Sequence, residues 1–160
     1  MSVSTPTQQP VLQKPVQGIL STFIITWLIA GTLDALAAVF ILAGGQFTLM
    51  FQSIASAAFG NAAFSGGTGM VFWGIGFHYF IAGCFTAFYF IVYPYLVFLK
   101  KSIILSSVLY GVFVWTVMHF VLHYFTALPK APFNLTGAIK NAVILMFTIG
   151  LPNAFFRRRI

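Results

Sequence analysis

The chain has 160 residues, of which 60% are hydrophobic, 18% aromatic and only 6% charged, with a formal net charge of +7. A chain of this length cannot keep so much apolar surface inside a water-soluble domain, so the composition excludes that class and indicates an integral membrane protein. Apolar runs of more than about 18 residues, rather than alternating ten-residue segments, exclude a transmembrane β-barrel and select helices. The eight Lys and Arg residues gather at the ends of these runs, where they meet lipid headgroups, so the positive charge does not signal nucleic acid.

Residues 1–17 are polar and include Pro6, Pro10 and Pro15, which predicts a tail without secondary structure of its own. The first apolar run, residues 18–43, is long enough to cross a bilayer and contains Asp34, the one acidic residue of the protein. Ala35-Leu36-Ala37 mimics a signal-peptidase site. The polar lead is too long for a signal peptide, however, and Asp34 interrupts the run just before that site, so this helix is expected to be retained. Gly31, Asp34, Ala35 and Ala38 share one helix face at i, i+3, i+4, i+7 spacing. Small residues there let a neighbouring helix approach and turn Asp34 toward protein.

Residues 46–68 are uncharged but too polar and broken to span. Leu49 to Phe59 predicts a short amphipathic helix, interfacial or re-entrant, ended by Gly60-Asn61, with Ser65-Gly66-Gly67-Thr68 as a flexible link. A second span is expected at about 70–99, ended or kinked by Pro94. Its many aromatic residues suit lipid contact and interface anchoring. A third span follows at about 102–126 and, after a loop at 127–132, a fourth at about 135–156. The expected fold is all-α: four transmembrane helices in a bundle, plus the short helix between the first and second, forming one domain from 18 to 160. No internal repeat supports an inverted-repeat transporter.

With four spans, both tails and the loop between the second and third lie on one side. That side carries Lys14, Lys100, Lys101, Arg157, Arg158 and Arg159, against Lys130 and Lys140 on the other. The positive-inside rule then predicts that both termini are cytoplasmic, with Lys100, Lys101 and the closing arginines at the membrane interface. Lys140 is expected to snorkel outward.

An ionised carboxylate inside the membrane costs several kcal/mol unless something answers it. Counting helical rise puts Asp34, His78 and His119 roughly 10 to 14 Å inside the outer boundary. We therefore expect an Asp34–His78–His119 cluster joining three helices, able to relay protons or hold a divalent cation through His78 and His119. His123, one turn beyond His119, and Asn141 are secondary candidates, His123 at headgroup level. The same groups also suit a purely structural tie between helices. A b-type haem between His78 and His119 is a lesser alternative, with Gly74 and Gly111 offering room, although both glycines equally suit close helix packing. The lone Cys84 provides no disulfide framework, and no Ser-His-Asp spacing or second carboxylate supplies acid and base roles, so a non-enzymatic protein is expected. Its partners are the lipid bilayer and, if it is an accessory subunit of a larger complex or self-associates, other membrane chains.

Several stretches, Phe59-Gly60-Asn61-Ala62-Ala63-Phe64-Ser65-Gly66-Gly67, Phe77-His78-Tyr79-Phe80-Ile81-Ala82, Tyr93-Pro94, Leu109-Tyr110-Gly111-Val112-Phe113-Val114-Trp115 and Gly150-Leu151-Pro152, resemble a group of small bacterial inner-membrane proteins, more distantly YagU-like. The resemblance implies four spans and a bacterial inner membrane and brings no established activity. It matches Asp34 and His78 to residues typical of the group, whereas the position of His119 is often Asn there and that of His123 Pro. The resemblance thus favours the Asp34–His78 pair over a three-residue site.

Overall fold

Hydrocarbon holds no water to bond a free N–H or C=O, so each apolar run closes its own hydrogen bonds as a helix. The computed structural model describes residues 16–125 and 134–160, with side chains described for all of these except 16, 17 and 122–125. Among the described residues there is no strand. Among them, too, four helices are long and apolar enough to cross a membrane. The first span is α1 (Val16–Ala37), continued by a π-helical turn, Ala38–Leu42. A shorter apolar helix, α2 (Phe47–Phe59), and the single turn α3 (Ala62–Ser65) lead into α4 (Gly67–Val92), the second span. The short α5 (Val97–Lys101) precedes α6 (Ile103–Phe125), the third. The fourth is α7 (Leu135–Leu145), a π-helical turn at Met146–Gly150, and α8 (Leu151–Arg158).

Several boundaries differ from the sequence expectation, for local reasons. Helix begins by Val16 rather than at residue 18, so it takes in the end of the expected tail. The expected flexible link at 65–68 is shorter, because α4 already starts at Gly67. The second span does not run to residue 99. Pro94 lacks the N–H that would bond the Phe90 carbonyl, so α4 stops at Val92 and Val97–Lys101 forms a separate turn. Arg157 reaches the orphaned carbonyl instead, its Nε 3.5 Å from Phe90 O and its guanidinium over the Phe90 and Tyr93 rings. Pro152 likewise cannot donate to the Thr148 carbonyl. The fourth span accommodates this with the π turn, in which Leu151 N–H bonds Met146 O. The turn into α2 uses Gly44 and Gly45, both in the left-handed region that only glycine adopts freely. The expected loop at 127–132 lies outside the described residues.

Around the bundle, α1 packs against α4 on one side and the fourth span on the other, and α6 packs against the fourth span. The first and third spans therefore face each other across a diagonal. The contact between α6 and the fourth span is close at two points because glycine allows it. A Cβ on Gly111 would fall 2.5 Å from Met146 Cα, and one on Gly150 would collide with the Ser107 carbonyl. Between α1 and α4, Trp27 Nε1 donates to Tyr79 O at 2.7 Å, and Thr32 and Tyr79 hydroxyls meet at 2.8 Å.

The α4–α6 contact is of another kind, made by large side chains. Tyr89, fully buried, shares a 2.6 Å hydrogen bond with Ser106. The Tyr110 hydroxyl donates to Phe85 O, and the Phe88 and Phe113 rings stack at 5.1 Å. These rings fill the half of the bundle nearest α5 and α8 while holding the two backbones apart. Toward α2 the bundle is hollow.

Candidate functional site

A cavity of about 540 Å³, partly open, occupies the α2 half of the bundle. Its lining runs from Asp34 to Leu42 on the first span, Phe77 to Phe85 on α4 and Asn141 to Ile149 on the fourth span, each about 12 Å of helix. Val114 and Met118 line it from α6, and Met50, Ser53, Ile54, Ala57 and Ala58 of α2 form a further wall. The α2 wall is possible because Gly74 lets the Phe51 backbone lie directly on α4, where any Cβ would strike the Phe51 carbonyl. Gly74, read from the sequence as a packing residue, has α2 as its contact partner.

Nearly all of the lining is apolar, which isolates its few polar groups. Asp34 Oδ1 is 2.8 Å from Thr148 Oγ1, and the same hydroxyl is 3.0 Å from Ile144 O. This arrangement satisfies the carboxyl group in either protonation state. When Asp34 is ionised, the threonine donates to it. When it is protonated, its O–H donates to the threonine oxygen, whose own proton turns to the Ile144 carbonyl.

His78, 9% exposed, holds its Nε2 2.9 Å from Gly31 O. A carbonyl only accepts, so Nε2 is the donor of this bond. Phe51 and Tyr79 meet the imidazole edge to face at 6.2 and 5.7 Å. Asp34 and His78 thus share the cavity, but each makes its hydrogen bond elsewhere, Asp34 accepting from Thr148 and His78 donating to the Gly31 carbonyl. The expected pairing of Asp34 with His78 is therefore not a hydrogen bond between the two, which share the cavity lining instead.

The three-residue cluster is not assembled. His119 is exposed and stacks on Trp115 at 5.3 Å, and it does not line the cavity. The physical reason is rotational. Met118 faces inward, and the next residue on a helix points about 100° away. Among the described residues no group of three His, Cys, Asp or Glu side chains is arranged to hold a metal. His78 and His119 are likewise not presented as a pair of axial ligands. His123 lies outside the residues whose side chains are described. Asn141 lines the cavity, as a secondary candidate.

Gly31 and Ala38 are buried within the chain's own bundle and Ala35 is half-buried, in keeping with the small-residue face read from their spacing. At the opposite end of the bundle the cations do more than meet headgroups. Besides Arg157, Lys100 Nζ donates to Pro94 O at 2.8 Å and Arg159 lies 4.0 Å above the Phe155 ring, while Lys101 and Arg158 are exposed. Lys140 does not simply extend outward, since its Nζ donates to Ile41 O at 3.0 Å, capping the carbonyl end of the first span.

Sequence reasoning missed Thr148 and the α2 wall. A threonine in an apolar helix carries no signal of its own, because threonine commonly bonds back to its own helix, as Thr22, Thr26 and Thr116 do here. Compared with known proteins, the chain matches no family model, no curated protein and no solved structure.

Proposed function

We propose that this is a small non-enzymatic membrane protein of the bacterial inner membrane, related to the YagU-like group, in which the Asp34–His78 cavity handles a proton or a cation. One observation carries this: the only acidic side chain of the protein lines a mostly apolar cavity among the spans, where Thr148 can satisfy it with or without its proton. A carboxylate kept merely as a structural tie needs no open space in front of it. Ionisable groups within membrane spans are costly and mark ion or proton pathways. Burial of Gly31 and Ala38 inside the chain's own bundle favours a self-contained protein over an accessory subunit that turns its small residues toward another chain. Lys100, Lys101 and Arg157 to Arg159, gathered at the end of the bundle away from α2, support cytoplasmic termini.

Purified protein in proteoliposomes enclosing a pH-sensitive dye tests the proposal. Wild-type vesicles are expected to pass protons or a monovalent cation down an imposed gradient. Asp34→Asn is expected to lower that flux about tenfold or more, and His78→Ala to lower it less. Equal flux in wild type and both variants overturns the proposal.

A further inference from the structure

The cavity has more room and less polarity than a proton or bare metal ion calls for. Magnesium and calcium require six or more oxygen ligands, whereas the wall here offers one carboxylate with a few scattered neutral groups. Its volume of about 540 Å³ lies in the range that holds an organic molecule, and such sites are mostly apolar with a few polar groups that fix orientation. Phe77, Phe80 and Phe85 bring aromatic rings to the lining, and aromatic rings attract organic cations through their quadrupoles. When ionised, Asp34 sets a single negative charge in surroundings of low dielectric, where an anion is repelled and a monocation is held. The apolar α2 wall, Ile54 and Ala57 included, offers contact to a hydrocarbon body.

Building on the cation-handling function proposed above, we infer that the cavity is a binding site for a lipophilic organic monocation, its charge set against Asp34 and its apolar body against the rings of α4 and the α2 wall. The size of the cavity, its apolar lining and its lone carboxylate all point to this one class of ligand. A proton on Asp34 would compete with such a ligand, so occupancy and protonation exclude each other.

Tetraphenylphosphonium and tetraphenylborate form a matched probe pair, alike in size and shape and opposite in charge. The full-length protein is placed in nanodiscs of neutral phosphatidylcholine and binding is followed by equilibrium dialysis, with empty nanodiscs as the partition control. The expected result is saturable binding of the phosphonium at one per chain and no saturable binding of the borate. Asp34→Asn should weaken phosphonium binding at least about tenfold, equivalent to about 1.4 kcal/mol. Ala57→Trp, which fills the α2 wall and keeps the carboxylate, should weaken it as well while leaving thermal unfolding near that of wild type.

Phosphonium binding that is equal in wild type and Asp34→Asn overturns the inference, since the site then takes apolar bodies without reading charge. Saturable borate binding, or no saturable phosphonium binding, also overturns it. If phosphonium fails to bind while Asp34-dependent proton or inorganic-cation flux persists in proteoliposomes, only the organic ligand is lost and the proposed function stands. Loss of both removes the two together.

Discussion

Asp34 and Thr148 show how a single side-chain contact decides what a buried carboxyl can do. The threonine is a donor toward the carboxylate and an acceptor toward the carboxylic acid, with the Ile144 carbonyl taking its proton in the second case. A hydrogen bond to a charged group is worth about 1.5–3 kcal/mol. Thr148→Val is therefore expected to reduce Asp34-dependent flux or cation affinity by about tenfold, and Thr148→Ser to restore most of it. Matching values for Val and wild type would show that the hydroxyl has no part in the site. Threonine at position 148 was not legible in the sequence as a partner of Asp34, because 114 positions separate them and only the folded bundle makes them neighbours. His119 illustrates the converse. Its place on the third span was readable from the apolar run, but the direction of its ring was not, since that depends on how α6 is rotated against the rest.

Glycine placement governs the elements. On α4, Gly74 and Gly76 are two residues apart and differ completely in surroundings. A Cβ at Gly74 meets the Phe51 backbone, whereas one at Gly76 has nothing within 4 Å. Gly74→Ala is thus expected to push α2 off α4 and destabilise the protein by about 1–3 kcal/mol, the usual cost of overpacking. Gly76→Ala should be neutral, and thermal unfolding in detergent compares the two. If both variants melt together, α2 is not docked as described. Because α2 forms one wall of the cavity, Gly74→Ala should also weaken ligand binding without touching Asp34. The sequence revealed α2 as a short amphipathic helix ended at Gly60-Asn61. What it could not reveal is the face of α4 on which that helix lies, because Gly74 and Gly76 look alike until a neighbour is in place.

Across the whole molecule, the two halves of the bundle are built differently. Tyrosine and phenylalanine side chains fill the half nearest α5 and α8 and keep α4 away from α6. In the half nearest α2, the same separation leaves the cavity. Orientation in the membrane can be tested at this scale. In a Cys84→Ser background, single cysteines at Lys101 and Arg159 are expected to react with a membrane-impermeant thiol reagent from the cytoplasmic side only, and one at Gln46 from the opposite side only. Labelling of all three from one face would refute the four-span topology.

Composition and apolar run length determined that this chain belongs in a membrane as four helices with a shorter helix between the first two, because transfer into hydrocarbon depends on local content alone. The i, i+3, i+4, i+7 face of Gly31 and Ala38 likewise marked the side of the first span that meets protein. Among the described residues, helix ends were legible to within a turn, except where prolines intervened. Pro94 ended α4 early, and the π turn ahead of Pro152 interrupted the fourth span. Only the tertiary structure decided that the first and third spans sit on a diagonal, that Thr148 answers Asp34 and that a cavity separates α4 from α6. Those features arise from pairwise fits between distant surfaces, Gly111 against Met146 and Tyr89 against Ser106 among them, and such fits have no signature in either segment alone.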